Sequence, residues 1–400
     1  MQKTIQGAGG RGYLAIPGPS VMPDAVLRAM HRAAPNIYEG ELPDMMEGLT
    51  RDLRAVARTK RHAAIYIANG HGAWEAALAN VIAPGETVLG LYNGRFGVGW
   101  AEMASGLGAE VQPLDFGLKA PADPARLEEA LRADGAGRIK AVLCTHVDTS
   151  TSIRNDIRAI RAAMDAAGHD ALLMVDCIAS LGCDRFEMDE WGVDVVVAAS
   201  QKGLMVPPGL GLVFFSEKAA AQRRAMARVS RYWDWVPRAQ PQMFYQYFGG
   251  TAPTHHLYGL RAALDMIEAE GLEAIWQRHA RLAGAIWAAC EAWGAGGPLA
   301  LNVAECGHRS CAVTALHVGK EYGLRLRRWT EGEAGVTLGI GLGMSTEEDP
   351  AGEGFFRIGH MGHVNAGMVM GALGAMEAAF EAIKLPRGGG ALEAAARALA

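Results

Sequence analysis

Ala171-Leu172-Leu173-Met174-Val175-Asp176 and Val193-Asp194-Val195-Val196-Val197-Ala198-Ala199-Ser200-Gln201-Lys202-Gly203 are the two stretches on which the fold turns. Each is a short, mostly aliphatic run that ends on a charged or polar group. Runs of this kind suit strands buried on both faces, as in a parallel sheet. Five more lie at residues 63–67, 87–91, 111–114, 139–145 and 211–215. Between them, residues 74–81, 98–105, 124–132 and 154–167 carry apolar side chains at the 3.6-residue period of an amphipathic helix. The alternation predicts an α/β domain, a mostly parallel seven-stranded sheet with helices on both faces.

After Arg223 the pattern gives way to an aromatic stretch, residues 232–248, expected as a loop or interface segment. Two helices follow, at 256–269 and 272–293, the second long enough to bridge domains. Strand-like 310–316 and 355–358, a helix over 318–329 and a last helix over 366–383 predict a smaller C-terminal α+β domain. The expected layout is an N-terminal segment 1–30, a large domain 31–270, a small domain 271–387 and a flexible Gly/Ala-rich tail 388–400.

The chain has 400 residues, enough for two unequal domains, because single cores stop growing at roughly 250–300 residues. Its formal net charge is −5, with no basic stretch of the kind that marks nucleic-acid or anionic-membrane binding. The expected partner is a small soluble substrate. The six cysteines are scattered, which reads as reduced thiols in a cytoplasmic protein. Cys306, His308 and Cys311 are closely spaced but lack a second ligand pair to complete a metal clip. The opening MQKTIQGAGG lacks the apolar core of a signal peptide, and no run is expected to approach the roughly 18–20 apolar residues of a membrane span.

Three features fall at the ends of predicted strands, where open α/β sheets place their ligands. Asn69-Gly70-His71-Gly72 follows the run at 63–67 and opens a helix, so its free amides and dipole favour a phosphate. Asp176 ends a buried strand, where an unpaired carboxylate is costly and calls for a cation or a donor. Lys202 follows the next strand, 26 positions on, where a dry setting lowers its pKa and frees an amine to attack a carbonyl. Each has a plainer reading by itself: an ordinary turn, a helix cap, an exposed lysine. Their order along the sheet joins them, because pyridoxal phosphate presents a phosphate, a ring nitrogen and an aldehyde. In that reading Asp176 keeps the ring nitrogen protonated, and Lys202 forms the Schiff base and then carries the substrate's α-proton.

Taken with Pro17-Gly18-Pro19-Ser20, Gly70-His71 with Glu75, Asn93-Gly94, Val175-Asp176, Ser200-Gln201-Lys202, Pro207-Pro208-Gly209 and Arg357-Ile358-Gly359, the chain resembles the class V aminotransferases of fold type I. Within them it is most similar to the alanine–glyoxylate and serine–glyoxylate branch. The resemblance implies pyridoxal 5'-phosphate as cofactor and a homodimer with shared active sites. It places Asn69, Gly70, His71 and Gln201 at the phosphate, with Thr251 reaching it from the other subunit. It puts Phe96 where an aromatic ring stacks on the pyridine, Thr149 where a hydroxyl bonds the cofactor, and Arg357 where a guanidinium pairs with the substrate carboxylate. Tyr38 and Glu39 fall on the substrate side. The implied reaction moves the amino group of alanine or serine to glyoxylate or a similar 2-oxo acid, by a ping-pong route.

Asn69, Phe96 and Phe248 stand where the family more often has Ser or Thr, Trp and Tyr, and Tyr38-Glu39 is an unusual pair, so another amino donor stays open. Pyridoxamine is one, since Arg357-Ile358-Gly359-His360-Met361-Gly362 also resembles pyridoxamine–pyruvate aminotransferase; an aspartate-type donor is another. A lyase or desulfurase of the same fold is the nearest rival. A nicotinamide dehydrogenase is suggested only by Gly7-Ala8-Gly9-Gly10-Arg11-Gly12, which no strand precedes and no helical pattern follows.

Overall fold

The seven apolar runs form one sheet, in the order His62–Ala68, Gly209–Phe215, Val195–Ala199, Leu172–Asp176, Ile139–Thr145, Thr87–Tyr92 and Glu110–Asp115, in a computed structural model that describes residues 9–400. Gly7 and Ala8 of the Gly-rich run lie outside the described residues. Gly209–Phe215 runs antiparallel to both its neighbours and the other strands run parallel to one another. The exception has a simple cause. Residues 200–208 are too few for the crossover of a dozen or more residues that a parallel return needs.

Successive side chains of the central strands go to opposite faces. Leu172, Met174, Val195 and Val197 meet Trp74 and Trp100 on one face. Leu173, Val175, Val196 and Ala198 meet Leu257, Leu260 and Leu264 on the other. This period of two explains why the runs are apolar throughout and do not alternate. Parallel pairing brings the C-terminal ends of Leu172–Asp176 and Val195–Ala199 to the same edge of the sheet.

A second sheet orders Tyr13–Ala15, Val336–Ile340, Phe355–Gly359, Val313–His317 and Ala300–Leu301. Its first strand comes from the N-terminal segment, which therefore crosses onto the small domain, and three residues are too few to show a period in sequence. The helix Leu272–Gly294 packs beneath this sheet and joins the two parts.

Two sequence expectations change. Residues 388–400 carry a helix, Ala391–Leu399, whose Ala391 and Ala395 are buried against Leu272–Gly294, where a flexible tail is expected. The helix Ala366–Ile383, mean hydropathy 1.3, is long and apolar enough to cross a membrane by length and composition, contrary to the expectation that no run approaches this. In the fold it is a core helix, with Val369, Leu373, Met376 and Phe380 buried in the small domain.

The aromatic stretch is pinned by Arg238, whose guanidinium is buried and donates to the carbonyls of Ile65, Tyr232 and Tyr247. Trp233 Nε1 reaches Glu75 on the helix behind the Gly-rich turn, at 3.0 Å. The stretch thus braces the strand and helix that flank that turn.

Candidate active site

Asp176 ends its strand fully enclosed. Oδ1 accepts from the Ile178 amide at 2.7 Å and Oδ2 from Trp74 Nε1 at 2.9 Å. Among the described residues it has no ion-pair partner, and burial pushes its pKa up to about 7. Lys202 lies in the turn after the adjacent strand. Its surface is partly exposed, yet the protein packed around its amine desolvates it and, with the charge of Arg357, lowers its pKa to about 8. Its Nζ donates to the Pro17 carbonyl, and it too has no ion-pair partner among the described residues. Gly18 is favoured here by its φ of +101°, and a Cβ on it would crowd the end of the Lys202 side chain at 2.5 Å from Nζ. Ser20 ties the same segment down, its Oγ donating to the Lys202 carbonyl at 2.7 Å and its amide to the Gln201 carbonyl at 2.8 Å.

Two desolvated groups of opposite charge thus sit at neighbouring strand ends without pairing with each other. A protonated ring nitrogen at Asp176 and an aldehyde at Lys202 would resolve both. Trp74→Phe removes one donor from Asp176 and is expected to destabilise the apoprotein by about 1–3 kcal/mol at pH 8. The loss should shrink at pH 5, because a donor favours the ionised carboxylate and Asp176 is protonated there. Urea denaturation at the two pH values measures it.

The Gly-rich turn forms the third corner. Asn69 caps the helix Gly70–Val81, its side chain accepting from the Gly72 amide at 3.2 Å. The amides of Gly70 and His71 have no acceptor among the described residues, as the first amides of a helix are without an outside partner. Gln201 contributes a buried side-chain oxygen without a partner, and turning the amide over would present its NH2 instead. The His71 ring packs 4.7 Å from Trp74, with its pKa lowered by burial and by Arg95. Free amides, an adaptable amide side chain and a helix dipole fit a phosphate.

Asp148 organises the remaining wall, and sequence reasoning missed it. Its buried carboxylate accepts from the amides of Phe96 (2.8 Å), Gly97 (3.0 Å) and Ser150 (3.0 Å) and from Ser150 Oγ (2.6 Å). It caps the helix Arg95–Gly106 from another part of the chain and so sets Phe96, whose ring meets Trp74 edge-on at 6.2 Å. The hairpin Val147–Asp148 with Ile153–Arg154 that holds it is too short to show in sequence. Thr149, next along, accepts at its carbonyl from Arg357 Nη1 at 3.0 Å. Arg357 Nε donates to the Ile340 carbonyl at 2.7 Å, and burial lowers the guanidinium to about 10, against the charge of Asp148. With Nε and Nη1 held by carbonyls, Nη2 keeps its donors for a ligand.

Lys202, Asp176, Asn69, Gly70, His71, Gln201, Phe96, Thr149 and Arg357 therefore belong to one region. Tyr38 and Thr251 do not join it within one chain. Tyr38 is 87% exposed, its amide turned back to Asn36, and Thr251 is exposed as well. A cavity of about 810 Å³ lies elsewhere, between Arg11, Tyr13, Asp24 and the helix Ala366–Ile383. Depth alone does not find this site; the unpaired buried charges do.

This geometry can be set beside known proteins. Residues 13–295 match the family model described as Aminotransferase class-V. The chain belongs to the class-V aminotransferases. It is 38% identical to serine–glyoxylate aminotransferase of Methylorubrum extorquens over 376 residues, covering 92% of this chain and 90% of that one. It is 35% identical to L-aspartate–glyoxylate aminotransferase of Paracoccus denitrificans, covering 93% and 91%. Its fold matches the crystal structure of ureidoglycine–glyoxylate aminotransferase from Bacillus subtilis with a TM-score of 0.87 at 26% identity, covering 98% and 99%. The aminotransferase assignment removes the dehydrogenase reading and favours amino transfer over the lyase and desulfurase readings.

Proposed function

We propose that the aminotransferase uses pyridoxal 5'-phosphate to move the amino group of a small amino acid, alanine or serine foremost, to glyoxylate or a similar 2-oxo acid. The observation that carries this is the pair of unmatched buried charges, Asp176 and Lys202, at adjacent strand ends beside free helix amides. The bound cofactor supplies an electron sink for the carbon that loses its proton.

The protein's own groups do the rest. Asp176 would hold the ring nitrogen as a cation. Gly70, His71 and Gln201 would hold the phosphate, and Phe96 would contribute an aromatic wall beside the ring. Lys202, with its pKa lowered to about 8, is available as a neutral amine that would hold the cofactor's aldehyde and, once free, could take the substrate's α-proton. Its neutral fraction at pH 8 exceeds that of an ordinary lysine by a factor of about 10². Arg357 anchors the carboxylates of both substrates by turns, which suits a ping-pong route. Thr251 and Tyr38 would complete the site from the partner in a homodimer, where their exposure in one chain ends. Free, mostly buried cysteines favour a cytoplasmic setting.

An aspartate donor is the second reading, favoured by the similarity to an aspartate–glyoxylate enzyme. The test is a panel of alanine, serine, aspartate and pyridoxamine against glyoxylate and pyruvate, with each half-reaction followed separately. The expected result is a visible absorbance band that borohydride bleaches, with label fixed on the Lys202 peptide and turnover fastest with alanine or serine. Label on another lysine, or no turnover with any donor, overturns the reading.

A further inference from the structure

We propose that His279 is a positioning residue that clamps the turn after Arg357 against the backbone of Lys202, so that one contact registers both the carboxylate anchor and the reacting amine. The proposal rests on the roles given above to Lys202 and Arg357.

The strand Phe355–Gly359 carries Arg357 and runs directly into Gly362, three residues beyond its end. Gly362 adopts φ +77°, and a Cβ there would lie 3.2 Å from the Lys202 carbonyl, 3.1 Å from Met205 Cγ and 3.4 Å from Ser20 Oγ. The side of Gly362 where a side chain would stand therefore faces the turn that presents Lys202. Only glycine combines this φ with so close an approach.

The other side of Gly362 is held by the helix Leu272–Gly294. The Gly362 amide donates to His279 Nε2 at 3.0 Å, and Arg278 Nη1 donates to the carbonyls of Gly362 and Val364 at 3.1 and 2.9 Å. His279 is fully buried, with Nδ1 2.8 Å from the Ile275 carbonyl. A carbonyl can only accept, so Nδ1 carries the proton; an amide can only donate, so Nε2 is bare. These two bonds fix one neutral tautomer. Burial, aided by the Arg278 charge, lowers the pKa to about 4 and keeps the ring in that form. His360 ties the same turn sideways, through Nδ1 to the Cys311 carbonyl and Nε2 to Thr314 Oγ1, each at 2.9 Å.

A histidine that merely filled the core would make its hydrogen bonds without touching the reacting groups. Here the bond ends on Gly362, which faces the Lys202 carbonyl closely enough that a Cβ would crowd it, five positions after Arg357. Loss of the clamp should let both drift, and small misplacements of reacting groups cost orders of magnitude in rate.

The test uses three variants of the cofactor-loaded protein, with active sites counted by borohydride labelling. In His279→Leu, kcat per site should fall about tenfold and KM for both substrates should rise severalfold. His279→Gln, which offers an acceptor to the Gly362 amide, should restore most of both. Arg278→Met should act in the same direction by less. Acetylation of Lys202 in the apoprotein, followed by peptide mass spectrometry across pH, should have its midpoint near 8 in the parent and move toward the ordinary lysine range in His279→Leu. If His279→Leu does not fold, the other two variants carry the test. Lowered thermal midpoints with kcat, KM and the acetylation midpoint unchanged would overturn the clamp. Should Lys202→Met also keep its turnover, the reading of the site falls with it; should Lys202→Met be inactive, only the clamp falls.

Discussion

Lys202→Met is expected to abolish amino transfer while making the apoprotein more stable at neutral pH. The rate loss follows from removing both the amine that attacks the carbonyl and the base that takes the α-proton, and should reach about 10⁴-fold or more. The stability gain follows from linkage. Lys202 titrates near 8 in the folded chain and near 10.5 when unfolded, so the unfolded state binds more protons between those values. Above pH 10.5 the amine is neutral in both states and costs nothing by this route. As pH falls toward 8 the penalty grows, and below 8 it is fully present, at about 3 kcal/mol. Urea denaturation of parent and variant apoprotein at pH 7 and pH 10.5 measures this. A stability difference that does not narrow at the higher pH would contradict the depressed pKa. Turnover at the parental rate would remove Lys202 from the reaction.

Arg357→Leu is expected to lower kcat/KM for the amino acid and for the 2-oxo acid together, by about 10²–10³-fold. That range corresponds to about 3–4 kcal/mol for a desolvated carboxylate left without its guanidinium. Arg357→Lys should recover little, because an ammonium lacks the rigid fork whose Nε and Nη1 bond the Ile340 and Thr149 carbonyls and so aim Nη2. The control is an amine substrate with no carboxylate, whose kcat/KM should be nearly unchanged. A uniform loss on both kinds of substrate would show that Arg357 acts only through its bonds to Thr149 and Ile340.

Lys202 and Asp176 are visible in sequence because each ends an apolar run and because pyridoxal phosphate needs both. Their physical state is not visible there. Asp176 at about 7 and Lys202 at about 8 result from burial by side chains distant in sequence, and from the failure of the two groups to meet. Trp74 read as the start of an amphipathic helix, and nothing in its position announces that its indole holds Asp176, 102 residues away. Asp148 was silent for the same reason. It is a lone carboxylate in a two-residue strand, and its four donors come from Phe96, Gly97 and Ser150, gathered only when the hairpin folds onto the helix Arg95–Gly106.

The sequence determined the architecture of the large domain, because strands buried on both faces must be continuously apolar and the runs that form them are hard to mistake; the run at 111–114, expected to be buried, instead forms the exposed edge strand Glu110–Asp115. It also determined the order cup, carboxylate, lysine, since strand ends in such a sheet converge. Tertiary structure decided what lies within short or non-periodic segments. Tyr13–Ala15 is a strand only because Val336–Ile340, itself paired with Phe355–Gly359, lies beside it. The helix Ala391–Leu399 forms where a tail was expected because Leu272–Gly294 offers it an apolar face. Tertiary structure also decided the charge state of the site. Periodicity is a local property that a chain displays along its length, whereas desolvation and the sharing of donors depend on which distant residues close around a group.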